Sequence, residues 1–191
     1  MKHYYPYKRG RIILLNFSPS VGQEINNIHY AIVMTKHDRP HNGLLTVIPL
    51  TSKEKFYDVN LGNWIGEAIE HEYSMFRSEL TMRIAKRNVE VEDMYSKIGK
   101  GYTIEEFEIL KGKIIKDERD IETLKKLESK YKNIKSTTYA KVNQITTISK
   151  DRIINPLGKR DPLSHITLPD ELLDLIDSKL KELFINKIDE N

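Results

Sequence analysis

The pattern of apolar residues changes twice along the chain, and these changes limit what it can fold into. Residues 1–55 read as short strands separated by turns. Residues 66–131 carry a helical period, and strand character returns at Thr137. Periods of two and of three to four do not share one element. The expected class is therefore α+β, with a small β domain interrupted by helices.

Arg11–Phe17 is rich in Ile and Leu and lies between Gly10 and Ser18-Pro19-Ser20. His29–Thr35 is β-branched and aromatic, and Leu44–Leu50 follows a turn holding Pro40, Asn42 and Gly43. Strands at this spacing suggest a small barrel or sandwich. Pro49 has no N–H for a ladder and is expected at an edge or bulge. Tyr73, Phe76, Leu80 and Ile84 are three and four residues apart within a helix expected over 66–97. Gly99 and Gly101 interrupt it. Thr103 then opens a second helix, with Glu106 placed to complete a capping box. Phe107, Leu110, Ile114, Ile121, Leu124 and Tyr131 follow a heptad-like stripe in which Asp117 and Glu128 are polar exceptions. Two helices joined by glycines imply a hairpin over 66–133. Thr138–Ile148 alternates like a single strand, and Pro156 and Gly158 mark a loop. Pro169, with Thr167 as a candidate cap, starts a helix expected over 168–187, with Leu172, Ile176, Leu180 and Phe184 on one face.

Of the 191 residues, 39% are hydrophobic and 31% charged, the composition of a globular chain. The apolar runs are far too short to cross a bilayer. The first ten residues lack the apolar run of a secretory signal, so a cytoplasmic protein is expected. With no cysteine, disulfides, a thiolate nucleophile and Cys-ligated zinc are excluded. The net charge of +3 is unevenly spread. Residues 1–55 hold eight Lys or Arg against three Asp or Glu, and residues 136–165 hold five against two. Folded together, these segments would offer a basic surface to a polyanion. His37 and His41 share a loop with Asp38, and Glu67 and His71 are one helical turn apart. No H-E-x-x-H is present and no third ligand is suitably spaced, so neither a metal nor a cofactor is expected. Gly99-Lys100-Gly101 lacks the strand-to-helix setting of a phosphate loop and reads as a turn.

The strand segments carry a resemblance. Gly10-Arg11-Ile12-Ile13, Phe17-Ser18-Pro19, Gly22-Gln23-Glu24 and Ala31-Ile32-Val33 resemble the opening of the PemK/MazF toxin family. Thr46–Ser52 resembles its third strand, which ends in Thr-Ser. Asn143–Ile148, Arg152 and Leu157-Gly158 resemble its closing segment, before a terminal helix. The likeness covers residues 8–55 and 136–185. It implies an SH3-like (CcdB/PemK-type) β-barrel from residues 1–55 plus 136–191, the C-terminal helix included, with residues 56–135 as a helical insertion. It also implies a homodimeric, metal-independent endoribonuclease toxin. Such an enzyme cleaves single-stranded RNA to a 2′,3′-cyclic phosphate and a 5′-hydroxyl, and a cognate antitoxin opposes it. Two departures stand out. His29-Tyr30 occupies the place of the family's Arg-Pro, so His29 stands where the catalytic Arg would be. Roughly eighty residues also replace a short loop after Ser52.

The resemblance places His29, Thr51 and Glu24 at the catalytic site. Cleavage by the RNA's own 2′-hydroxyl needs a base, an acid and stabilisation of the phosphorane. An imidazole can serve as base or acid, whereas a guanidinium stays protonated. Thr51 can donate to a phosphate oxygen, and Glu24 can orient His29 or act as its partner base. The expected RNA contacts are Arg9, Arg11, Tyr30, Ser52, Lys53, Gln144 and Arg152. Tyr30 or Phe17 would supply stacking. Structural alternatives also stand: Glu24 as a turn cap only, Phe17 as core, and Gln144 as a structural hydrogen-bonding group. The missing Arg admits a rival function, a non-catalytic barrel acting by binding, as a CcdB-like gyrase poison or an RNA-binding module.

Overall fold

The computed structural model describes residues 2–97, 101, 103–131, 137–156, 158 and 161–185. Gly99, Lys100, Leu157 and the last two residues of the expected terminal helix lie outside these. The chain divides into two units, Met1–Ile69 with Asn133–Asn191, and Glu70–Lys132.

The first unit holds the strands β1 (Ile12–Asn16), β2 (Ile28–Val33), β3 (Leu44–Thr51), β4 (Val59–Asn60), β5 (Tyr139–Ala140), β6 (Thr146–Ser149) and β7 (Ile153–Asn155). All pairings are antiparallel, in the order β4-β5-β3-β2-β1-β7, with β6 alongside β3. The expected closed barrel is not formed, because this order is an open path among the described residues. The chain itself joins the two sides. β6 lies on β3 and β7 on β1, and a single 3-10 turn, Lys150–Arg152, connects them.

Thr138–Ile148 is not one strand. It breaks into β5, a 3-10 turn at Val142–Gln144, and β6. Pro49 accounts for the break. Its carbonyl accepts from the Lys141 amide (2.9 Å), so its nitrogen also faces this edge and offers no donor there. The opposing chain turns away at that level. Pro49 thus sits inside β3 rather than at a free edge, with β2 on its other side.

Ile13, Leu15, Phe17, Ala31, Val33, Leu45, Val47 and Ile148 form one core cluster with Tyr7. Ile12, Ile32 and Ile48 alternate with them along the strands and are equally buried, so both faces of β1–β3 are covered. Residues 166–168 run beside β1, where Ile166 accepts from the Ile12 amide and Leu168 donates to Gly10. Helix α3 (Asp170–Phe184) follows. Pro169 occupies its cap position, not Thr167, and no side chain caps it. The buried face centres on Leu173 and Ile176, whereas Phe184 is exposed, so the helix is rotated from the expected stripe. Gly10 shows how closely this segment packs. Its φ is +81°, and a Cβ there would stand 3.1 Å from both Leu173 and Thr167.

The Tyr7 phenol is pushed up to about 12, first by burial and then by Tyr5 and Asp38. The folded phenol therefore stays neutral at a pH where an unfolded one ionises. Stability from this group is full below pH 10 and is lost as pH rises toward 12. Tyr7→Phe should flatten the fall of the melting temperature between about pH 10 and 12, measured by thermal denaturation.

The second unit is an antiparallel hairpin of α1 (Trp64–Lys97, from residue 70 onward) and α2 (Ile104–Tyr131). Tyr95 meets Phe107 near the turn, with ring centroids 4.5 Å apart, and at the far end the Tyr73 phenol is raised by burial and by Glu128. Tyr73, Leu80 and Leu124 form the core, with Phe76, Ile121 and Leu127 packed on it. The capping box is present. The Thr103 amide donates to Glu106 Oε2 (2.9 Å), and the Glu106 amide donates to Thr103 Oγ1 (3.2 Å). Hydrogen bonds from Thr103 hold the Glu106 carboxyl below its usual range. The box is therefore intact above that range and weakens as pH falls through it. Thr103→Ala should cost about 1 kcal/mol in urea unfolding of the hairpin. Among the described residues no helix is long and apolar enough to cross a membrane.

Asp117, a polar exception in the α2 stripe, is buried in the seam. Arg83 and Arg87 of α1 both bind its Oδ2. Arg83 Nε is 3.2 Å away, and Arg87 also donates to the Lys113 carbonyl (2.9 Å).

Candidate functional site

Three groups of the expected site residues separate in space. The first lies where β2 and β3 end. Their register runs Val33–Val47, Ile32–Ile48, Ala31–Pro49, where the bonded pairing stops. Continued by two residues, it brings His29 level with Thr51, and alternation puts both on the face of Ala31 and the inner core. His29 is half-buried, opposite Leu15 of β1, with its ring 6.4 Å from that of Phe17. Phe17 itself is core, only 6% exposed, and not an open stacking platform. Thr51 pairs with Tyr139, and its Oγ1 accepts from the Lys53 amide (3.2 Å). Ser52 and Lys53 follow on the exposed turn. Sequence reasoning missed Tyr139, whose phenol is raised by desolvation and by Glu54. It also missed Asp58, whose carboxyl is raised by burial against the pull of Lys141. Tyr139 belongs to the segment read as one strand, and Asp58 to a segment with no element expected; the β3–β5 pairing sets Tyr139 opposite Thr51, and Asp58 leads into β4 on the other side of β5.

The second group lines a cleft of about 710 Å³ between the first loop and β6, walled by Phe17, Glu24, Ile25, Gln144, Thr147 and Arg152. Glu24 closes its own turn, taking the Val21 amide on Oε2 (3.1 Å). In this bond it acts as a turn cap. Gln144 donates to the Gln23 carbonyl (2.9 Å), while its Oε1 is buried without a donor. Arg152 donates to the carbonyls of Phe17 (3.0 Å) and Ser18 (2.9 Å), tying the loop to the 3-10 turn. Hydroxyls and amides therefore dominate the cleft, and its guanidinium is already engaged. Tyr30 lies one residue from His29 on the opposite face, its phenol raised by burial and by Asp161.

The third group is Arg9 and Arg11, at the other end of the strands. Arg9 is ion-paired with Asp177 of α3, and Arg11 donates to the Ser164 carbonyl. Burial lowers the Arg11 pKa. Both arginines hold the C-terminal segment in place. The second basic segment is similarly engaged, with Lys150 ion-paired to Asp38 in the interior. Among the described residues no three His, Asp or Glu side chains converge as a cation site. His41 instead packs its ring against His3, at 4.5 Å.

A small antiparallel sheet, with His29 near the start of β2 and Thr51 at the end of β3, sets the frame for comparison. Residues 8–104 match the family model described as the PemK-like, MazF-like toxin of type II toxin–antitoxin systems. The chain belongs to this family, and membership in a type II system implies a cognate antitoxin. The match runs through α1, which the resemblance set aside as insertion, and does not take in residues 136–185. A solved structure of MazF (Form-I) from Deinococcus radiodurans is similar over 94% of this chain and 97% of that one, with 13% identity and a TM-score of 0.44. No curated protein matches the sequence.

Proposed function

We propose that the protein is an endoribonuclease toxin that cleaves single-stranded RNA without a metal, acting as a homodimer. Membership in the MazF-like toxin family carries the reading. The register of β2 on β3, which continued by two residues would set His29 level with Thr51, supports it. On this reading the strand-rich unit is the family's SH3-like domain, and residues 56–135 are an insertion in it.

In the proposed reaction the 2′-oxygen attacks the adjacent phosphorus and loses its proton to a base. The P–O5′ bond breaks and the 5′-oxygen takes a proton from an acid. The products are a 2′,3′-cyclic phosphate and a 5′-hydroxyl. His29 is assigned one of the two proton transfers. Thr51 donates to a non-bridging oxygen as charge grows there. Glu24 drops out of this assignment, because its carboxylate is engaged by Val21. Gln144, Ser52 and Lys53 remain as contacts along the strand.

One observation favours a second reading. His29 stands where the family's Arg would be, which fits a barrel that binds its target without cutting it. Incubation with a long unstructured RNA in EDTA separates the two. The nuclease reading expects discrete fragments with 5′-hydroxyl ends, lost in His29→Ala. Intact RNA, with the protein folded and free of antitoxin, would end that reading and direct the search to a bound target such as gyrase.

A further inference from the structure

A second cleft, of about 660 Å³, lies where the N-terminal segment crosses the β2–β3 loop. Tyr5, Tyr7, Lys8, Lys36, Asp38 and Arg39 are among its walls. Its size suits a nucleotide-sized group. β2 spans Ile28–Val33, with His29 next to its start, and the loop continues from Val33. The cleft is therefore separated from His29 and Thr51 by more than the roughly 13 Å that four strand residues span.

The charge in this cleft is unbalanced. The Asp38 carboxylate is already neutralised, with Lys150 Nζ 2.7 Å from Oδ2 and both side chains almost wholly buried. Among the described residues, the side chains of Lys8, Lys36 and Arg39 make no ion pair or hydrogen bond, and all three are exposed. Tyr5 stands beside them, 62% exposed, its edge held against Tyr7 with centroids 5.1 Å apart. Free cations around a fixed, open aromatic ring are the elements of a single-strand binding platform. The cations take phosphates, and the ring takes a base.

We infer that this cleft is a second RNA-binding site, which holds the strand away from the point of cleavage. Lys8, Lys36 and Arg39 contact phosphates, and one base stacks on Tyr5. An acidic peptide fits less well. Peptide grooves anchor aliphatic side chains in apolar pockets, and here the apolar surface is an exposed ring and Pro6. The inference rests on the RNA reading above.

The test measures binding of a labelled, unstructured RNA of about 20 nucleotides in EDTA, by anisotropy over a range of salt. Wild type is compared with the triple variant Lys8→Gln, Lys36→Gln, Arg39→Gln, and with Tyr5→Ala and Tyr5→Phe. Losing three phosphate contacts should lower the salt slope by about 2, and affinity at 0.1 M salt about a hundredfold. Tyr5→Ala should weaken binding about tenfold and Tyr5→Phe should restore it. If wild type binds the RNA and the triple variant matches it in affinity and slope, the cleft is overturned, while the nuclease reading stands or falls on cutting alone. If wild type neither binds nor cuts, that reading falls and the cleft with it. If the triple variant keeps RNA and loses a polyglutamate peptide, the cleft is a peptide site and the inference is overturned.

Discussion

Lys150→Met should destabilise the strand-rich unit by about 3–5 kcal/mol, measured as a lower urea midpoint with an unchanged slope. The Lys150 and Asp38 side chains are 2% and 0% exposed. Asp38 Oδ2 takes both the ammonium and the Tyr7 amide (2.8 Å), while Oδ1 has no partner. Removing the ammonium leaves a buried carboxylate with one neutral donor, and its short stem cannot carry it to water. The reverse change is milder. In Asp38→Asn, Lys150 keeps the Tyr5 carbonyl (3.2 Å) and lies over the rings of Tyr4 (5.7 Å) and Tyr7 (5.9 Å). Its longer stem also lets the charge reach solvent. Pairing Lys150→Met with Asp38→Asn should recover most of the loss. A double variant no better than Lys150→Met alone would assign the cost to lost packing of the lysine stem.

The joint replacement Arg83→Met and Arg87→Met should destabilise the helical hairpin by a similar amount, about 3–5 kcal/mol. Asp117 then stays in the seam, with its side chain 5% exposed and no cation beside it. Either arginine alone still neutralises the carboxylate, so each single change should cost much less, and the pair should be strongly non-additive. Adding Asp117→Leu to the double variant removes the stranded charge and should restore most of the stability, since an apolar set often replaces a buried ion cluster without loss. Helical circular dichroism during urea unfolding reads all four variants. Additive single losses would mean that the two arginines act through separate contacts.

These two clusters also mark where the sequence stops being readable. The capping box was legible because Thr103 and Glu106 are one turn apart and need no tertiary context. β2 and β3 were legible from their β-branched runs, within a residue or two at each end. Asp117 stood out as a break in the stripe, but its partners lie about thirty residues away on another helix, and only the hairpin register brings them to it. Lys150 looked like part of a basic surface because its partner, Asp38, is more than a hundred residues away. Thr138–Ile148 alternates well enough for one strand. Its division is set by a proline on the strand it faces, which local pattern cannot report. Of the site, His29 and Thr51 follow from order along the chain. The engagement of Glu24, Arg9, Arg11 and Arg152 by nearby partners is visible only once the chain is folded.

The chain leaves and re-enters the sheet across a closed pair. Leu61 donates to the Thr138 carbonyl (2.8 Å), and the Thr138 amide donates to the Gly62 carbonyl (2.9 Å). The connection between these residues begins and ends at neighbouring points, so the sheet is indifferent to its length. To the strands, the helices are a very long turn. Because closing a loop grows costlier only slowly with its length, the hydrogen-bonded junction tolerates a connection of many lengths. A change in that length would leave β4 and β5 zipped and Thr51 in its place beside them.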